Sequence, residues 1–430
     1  MRLGVLLVML LLLLYPAHGQ ERVINVAEVD GIISPATSDF IIQSIRRSEK
    51  EGVEALIIKL DTPGGLEESM RTIIKEMLNA EVPVVVYVAP SGARAASAGA
   101  IITLAAHIAA MAPGTSIGAA HPVAMGGQLS KTMEEKIVNY AASYAESIAK
   151  KRGRNVQFAI DAVRKSTSVS SDQALKLKVI DLISPDLDTL IKELDGRKVS
   201  LPLREVKLST RGAKINNIPI GLRQKILAVI GNPNVAYILM LLGMAGLYFE
   251  LANPGAILPG VVGGISLLLA FFAFQTLPIN YAGILLIILA LLMFIAELKT
   301  ASHGILTAGG LISLALGSLM LFESPLPFFR PSWSVLLGTL VTVGSFVVFA
   351  LTLALRAQVA RPKTGLEGLV GEVGEARTKI APAGKVFVHG EYWDAVSSEP
   401  IEEGERIKVV GMQDGMKLKV TKLEEQRRKP

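Results

Sequence analysis

No cysteine occurs among the 430 residues, which excludes disulfides, thiolate metal sites and a cysteine nucleophile together. Charge is scarce as well. Asp, Glu, Lys and Arg make up 19% of the chain, where a soluble protein carries about a quarter. Aromatic residues amount to 5%, while half of all residues are hydrophobic and the mean hydropathy is +0.45. These proportions argue against a disordered chain and against an ordinary cytosolic enzyme. They fit a membrane protein with sizeable soluble parts. The formal charge of +6 comes from basic residues scattered along the chain, so no nucleic-acid surface is expected. The length corresponds to about three domains.

Apolar runs are what the sequence has in abundance. Arg2, the unbroken run from Leu3 to Tyr15, and Pro16 followed by Ala17-His18-Gly19 read as an export signal over residues 1–19. The run is short for a span of ~30 Å, and an uncleaved anchor helix is the alternative. Either way, the segment that follows faces the outside of the membrane. From residue 20 to 195 short β-branched strands alternate with helices. Strands are expected over 23–29, 55–60 and 82–88. Helices are expected over 36–50, 66–80, 131–151 and 156–165. Strands that are almost continuously apolar mean a sheet buried on both faces, hence an α/β domain.

A basic connector is expected over 196–233, then an all-α transmembrane bundle over 234–356. Its apolar stretches at 235–250, 256–274, 281–296, 303–322 and 332–355 suit four to five spans, the first being short. Dense glycines allow close helix approach there. Glu250 followed by Gly255 and Gly260 echoes Glu297 followed by Gly304 and Gly309, which points to two related hairpins. Both glutamates sit near span ends, from which they are expected to reach the interface. Residues 362–425 alternate at 385–388, 406–409 and 417–420 with turn signals between, as in a small soluble β-barrel of OB type. Residues 362–430 hold twelve Lys and Arg against twelve Asp and Glu. Without a net positive field, protein contact is favoured over nucleic acid. Five spans place this barrel in the cytoplasm; Arg356, Arg361 and Lys363 agree.

Three features of the α/β segment carry chemistry. Asp61-Thr62-Pro63-Gly64-Gly65 follows the second strand, where a Gly-Gly turn can aim bare backbone N–H groups into a cleft. Ser97 lies in Ala95-Ala96-Ser97-Ala98-Gly99, at a strand-to-helix junction among side chains small enough to admit a peptide. Alone, the first is better read as a plain turn and the second as tight helix packing. A serine nucleophile needs a base, and His121, Lys131 and Lys136 lie downstream. A lysine serves only when burial keeps it neutral near pH 7; a solvated helix face is the ordinary place for one.

The ordered set Asp-x-Pro-Gly-Gly, Ala-Ser97-Ala-Gly, Met111-Ala112-Pro113-Gly114-Thr115-Ser116-Ile117-Gly118 and Lys136-Ile137-Val138-Asn139 resembles the NfeD family of membrane-bound serine proteases. These are relatives of Clp and signal peptide peptidase A within the crotonase-like fold. The likeness extends through the spans and the C-terminal barrel. It implies Ser97 as nucleophile, Lys136 as general base, and the N–H groups of Gly65 and Ala98 as oxyanion hole. Substrate is then expected to pair with the Gly64–Gly65 strand edge. His121 is the alternative base, at the spacing of the Clp histidine. The Arg-Asp pair that would orient it is replaced by Val163-Arg164-Lys165-Ser166, which favours Lys136.

The reading is a membrane-anchored serine endopeptidase with no cofactor and no metal. By family resemblance it acts on hydrophobic peptide segments, with stomatin-like membrane proteins as partners, and forms at least a dimer. A non-catalytic scaffold for stomatin-type assemblies is the alternative. An acyl-CoA enzyme is a weaker third, since fold alone does not decide function.

Overall fold

The structure is a computed structural model that describes residues 22–123, 130–252, 255, 257–300, 302, 304–324, 327–359, 366–413 and 416–423. The expected export signal, the Asn253-Pro254 break, Arg361 and Lys363 lie outside the described residues. The chain divides into two compact units, Met1–Gly344 and Ser345–Pro430.

Six parallel strands form the central sheet: β1 (Val23–Asp30), β2 (Ala55–Asp61), β3 (Val84–Val88), β5 (Ile108–Met111), β8 (Leu182–Ile183) and β11 (Lys214–Ile218). Their order across the sheet is β11-β1-β2-β3-β5-β8. Side chains alternate between faces. Along β2, Leu56, Ile58 and Leu60 enter one core while Ala55 and Ile57 enter the other. That is why the strand reads as continuously apolar. Helix α1 (Pro35–Glu51) begins at Ser34, whose hydroxyl accepts the Thr37 N–H at 3.3 Å, and stops at Gly52 with φ +63°. Helices α2 (Glu67–Asn79), α3 (Ala98–Ala105), α4 (Lys131–Lys151) and α5 (Val156–Arg164) complete that side of the core.

A smaller sheet stands at the carboxyl end of the first. It contains β4 (Arg94–Ala96), β6 (Ser116–Gly118) and β7 (Ser168–Ser170), joined to the main sheet through a Thr62–Ala95 bridge. Residues 196–233, expected as a connector, carry regular structure instead: β9 (Lys198–Ser200), β10 (Glu205–Lys207) and the edge strand β11. In β11 the alternation is weak, Lys214-Ile215-Asn216-Asn217-Ile218, because an edge strand needs little apolar surface. Asn216 donates to the Asn25 side chain at 2.8 Å, a polar pairing that periodicity does not report.

After α6 (Ser171–Lys176), α7 (Leu187–Leu194) and α8 (Leu222–Ile230), five apolar helices follow: α9 (Pro233–Ala252), α10 (Ile257–Phe274), α11 (Tyr281–Lys299), α12 (Ile305–Met320) and α13 (Trp333–Val359). Of these, α9 and α10 are long and apolar enough to cross a membrane by length and composition. The first is twenty residues, longer than its apolar stretch implied. The repeat seen in the sequence becomes two hairpins packed at glycine. A Cβ on Gly263 would lie 3.0 Å from the Gly246 Cα, and one on Gly317 would lie 2.8 Å from the Gly283 carbonyl. Glu297 does not reach outward. It is 9% exposed and accepts the Gly304 and Thr307 N–H groups at 2.9 and 2.8 Å, capping α12.

In the second unit β12 (Val373–Ala376), β13 (Ala383–Val388), β14 (Glu391–Val396), β15 (Arg406–Gln413) and β16 (Lys417–Lys422) close a barrel in the order β12-β13-β14-β16-β15. Its interior is apolar, built around Val386, Val388, Ile407, Val409, Leu418 and Val420.

The end of α3 is held by two arginines of the α4–α5 turn. Arg152 donates to the Ala105 carbonyl at 2.7 Å, and buried Arg154 donates to Leu104, Ala106 and the Asp181 carboxylate at 2.6–2.8 Å. Those carbonyls are the unpaired groups of a helix end. Beside them His107 accepts the Val84 N–H at Nδ1 (3.2 Å), and its buried Nε2 has no partner among the described residues. Burial, with Arg152 and Arg154 nearby, pushes its pKa down to about 3. The unfolded chain, near 6.5, therefore takes up the proton first. The stability from neutral His107 is complete above that value and drains as pH falls toward 3. Thermal unfolding of the detergent-solubilised chain should show a loss of about 2 kcal/mol by pH 5. In His107→Asn that loss should shrink; an unchanged acid limb would contradict this assignment.

Candidate active site

The site lies where β2 and β3 end, the usual position for function in an α/β sheet. As β2 runs out, Thr62 is fully buried and pairs with β4: its N–H donates to the Arg94 carbonyl at 2.8 Å and its carbonyl accepts from Ala96 at 3.1 Å. The Thr62 hydroxyl also accepts the Gly64 N–H at 3.0 Å, and Asp61 accepts the Arg94 N–H at 3.0 Å. Both residues shape the turn, as their place in the motif implies.

Two residues later the partner strand changes. Ile33 donates to the Gly64 carbonyl and accepts from the Leu66 N–H, each at 2.9 Å. In a parallel bridge of this kind, the residue between the two bonded positions turns its own N–H and carbonyl the other way. That residue is Gly65. Its N–H makes no hydrogen bond among the described residues. A side chain at Gly65 would run into the Ile33 backbone, so only glycine fits here.

Ser97 faces that edge. A Cβ added to Gly64 would lie 2.6 Å from the Ser97 Cβ and 3.1 Å from its Oγ, so the hydroxyl rests directly on the Gly64 backbone. Gly64 itself has φ +115°. Ser97 adopts φ +51°, ψ −116°, a conformation that L side chains rarely take. The fold imposes it from both sides. The Ser97 N–H donates to the Gly118 carbonyl at 3.1 Å, where β4 pairs with β6, and the Ser97 carbonyl accepts from Ala100 at 3.0 Å as α3 begins. Ala98 is the first residue of α3, and its N–H has no acceptor among the described residues. The half-buried Ser97 hydroxyl thus lies against Gly64, next in the chain to Gly65, and at the N-terminus of α3.

The expected bases stand differently. Lys136 lies in the second turn of α4 and is exposed, and its amine makes no hydrogen bond to Ser97 or to another residue among those described. Lys131 is exposed at the first residue of the same helix. The first buried residue of α4 is Ala142, so its opening turns project beyond the core. His121, half-buried, also makes no bond to Ser97; its Nδ1 lies 2.8 Å from the Val163 carbonyl. A carbonyl can only accept, so Nδ1 carries the proton and Nε2 keeps its lone pair. Sequence reasoning required a carboxylate to fix this tautomer. The structure uses a main-chain carbonyl, which no side-chain motif reveals.

With this geometry in place, relatives can be compared. Residues 23–188 match the N-terminal domain of NfeD1b, residues 234–371 the NfeD integral membrane domain, and residues 366–422 the NfeD-like C-terminal, partner-binding domain. Membrane-bound protease PH1510 of Pyrococcus horikoshii is 36% identical over 414 residues, which cover 94% of each chain. The chain belongs to the NfeD family. It is accordingly a membrane protein, and its N-terminal region resembles that protease. Membrane protein NfeD1b of Bacillus subtilis is 26% identical over 441 residues, 95% of each chain. Among solved structures, a mutant of the 1510-N membrane-bound stomatin-specific protease in complex with a substrate peptide aligns with TM-score 0.46 and 34% identity. It covers 49% of this NfeD chain and 98% of that one. The 1510-N membrane protease specific for a stomatin homolog, from Pyrococcus horikoshii, aligns with TM-score 0.43 at 34% identity, with the same coverage of both chains.

Two substitutions test the local construction. Ser97→Gly relieves the positive φ and should stabilise the protein by about 1–2 kcal/mol relative to Ser97→Ala, read from thermal unfolding in detergent. Equal stability of the two variants would mean that the backbone stores no strain. Gly64→Ala, whose methyl group occupies the space of the Ser97 side chain, should slow reaction of Ser97 with a fluorophosphonate by about 100-fold or more.

Proposed function

We propose that this chain is a membrane-anchored serine endopeptidase with Ser97 as nucleophile and Lys136 as general base. One observation carries it: Ser97, held at positive φ, sits against Gly64, and the N–H groups of neighbouring Gly65 and Ala98 have no acceptor among the described residues, which supports their reading as the oxyanion hole. A protease relative that is 36% identical across nearly the whole chain supports peptide-bond hydrolysis. The substrate strand lies along the open side of Gly65, adding to the sheet. Its scissile carbonyl then points at the two donors while Ser97 attacks. Lys136 takes the hydroxyl proton, delivers it to the leaving amine, and activates the water that releases the acyl group. By family resemblance, apolar segments of stomatin-like membrane proteins are the substrates.

Because Lys136 is exposed in the single chain, a neutral amine requires that the first turns of α4 be covered. Assembly into at least a dimer, or the substrate itself, supplies that cover. The five apolar helices α9–α13 span the membrane, with residues 20–195 as the protease domain outside the cytoplasm and the barrel inside. The barrel's strand order, with β14 and β16 parallel, supports the OB-type reading.

A second assignment of the base has its own support. The Val163 carbonyl leaves His121 Nε2 in the form a base needs. The decisive measurement is cleavage of an apolar fluorogenic peptide, with fluorophosphonate labelling alongside. Labelling should vanish in Ser97→Ala, Lys136→Ala should lose about 10³-fold or more in kcat, and His121→Ala should stay within tenfold. The reverse pattern hands the role to His121. Absence of both labelling and cleavage under all conditions leaves the scaffold reading.

A further inference from the structure

Lys136 belongs to a helix segment that the hydrophobic core holds only through the half-buried Val138 and Ala141. Between Lys131 and Ala141 no residue of α4 is buried. What holds this segment laterally is polar. Arg164 of α5 donates to Asn139 at 2.8 Å. On the opposite flank Arg71 of α2 packs against two α4 rings, its guanidinium carbon 4.5 Å from the Tyr140 centroid and 4.1 Å from that of Tyr144. Tyr140 and Tyr144 are one and two turns beyond Lys136, on its side of the helix.

The Arg71 contact is not an ordinary surface ion pair. Its Nε donates to Glu67 at 2.8 Å within α2, which aims the guanidinium, and one amino nitrogen is buried with no acceptor. The planar face is therefore committed to the rings, a cation–π arrangement that is stronger where water is excluded. Arg71 also has a particular origin. Helix α2 starts at Glu67, two residues after Gly65. The stack thus ties the element that carries one oxyanion donor to the element that carries the base.

We propose that Arg71 is a positioning residue for the reaction. Packed against Tyr140 and Tyr144, it fixes the opening turns of α4, and so the reach of Lys136, relative to the Gly65 edge and Ser97. The inference rests on Lys136 being the base. It requires no contact between Arg71 and substrate, and it predicts a loss in the chemical step rather than in binding.

The test uses the full chain in detergent. In Arg71→Met, kcat for an apolar fluorogenic peptide should fall about 10–100-fold, with KM within about twofold. The rate of Ser97 labelling by a fluorophosphonate should fall in parallel. In a Lys136→Ala background the same substitution should have no further effect, because a lost base cannot be misplaced. Should Arg71→Met fold poorly, exposed Tyr140 offers the second variant: Tyr140→Leu should reproduce the loss and Tyr140→Phe, which keeps the ring face, should not. An equal drop in both backgrounds, a rise in KM alone, or no drop at all would overturn the proposal while leaving the Ser97–Lys136 pair standing. Full activity in Lys136→Ala would remove the pair and the proposal together.

Discussion

A single backbone conformation organises the protease-like half of the molecule. Ser97 can hold a positive φ only because its neighbours decide its geometry for it. Its N–H is drawn to Gly118, its carbonyl opens α3, and its side chain lies on the one residue, Gly64, that has no Cβ to displace it. Strain of about 1–3 kcal/mol persists only where surrounding structure over-determines the position. The surroundings here are the main sheet, the small β4-β6-β7 sheet and the buried arginines that hold the far end of α3. Loosening any of them frees the serine to relax into an ordinary helix cap, with its hydroxyl turned from the Gly65 edge.

Much of this was legible in the sequence, for reasons that can be named. A strand buried on both faces must be apolar throughout, so β1, β2 and β3 announced themselves within two residues of their ends. Ser97 and the two glycines stood out only as an ordered set of motifs shared with a family, because each alone reads as a plain turn or tight packing. What escaped were interactions that use the main chain or polar pairing. The Val163 carbonyl that orients His121, the Gly118 carbonyl that holds Ser97, and the asparagine pair that joins β11 to β1 leave no periodic trace. Nor does spacing distinguish a lysine on a covered face from one in water. Lys136 is exposed in the single chain.

The helical hairpins follow one rule expressed twice. Glycines let the paired helices touch, where lipid removes the hydrophobic drive for association. A helix that begins within or near an apolar layer cannot leave its first N–H groups without acceptors. Glu297 answers that need by turning back onto Gly304 and Thr307. Glu250 lies against Gly260 at the corresponding place in the first hairpin. The expectation that Glu297 extends outward failed because it counted the cost of a charge and not the cost of uncapped amides; Glu250 is exposed.

The two halves of the candidate machinery are therefore built to different standards. Nucleophile and oxyanion donors are locked by hydrogen bonds and packing that exist in the isolated chain. The proposed base rides on helix turns that touch the core only through half-buried Val138 and Ala141, held from the sides by Arg71 and Arg164. If Lys136 is the base, as proposed, its exposed position requires cover before it can take a proton. Coverage of α4 supplies the dehydration that turns the amine into a proton acceptor. On that proposal the missing element is dryness, which a partner chain or the peptide to be cut would supply, and no inhibitory segment is needed to keep the site silent.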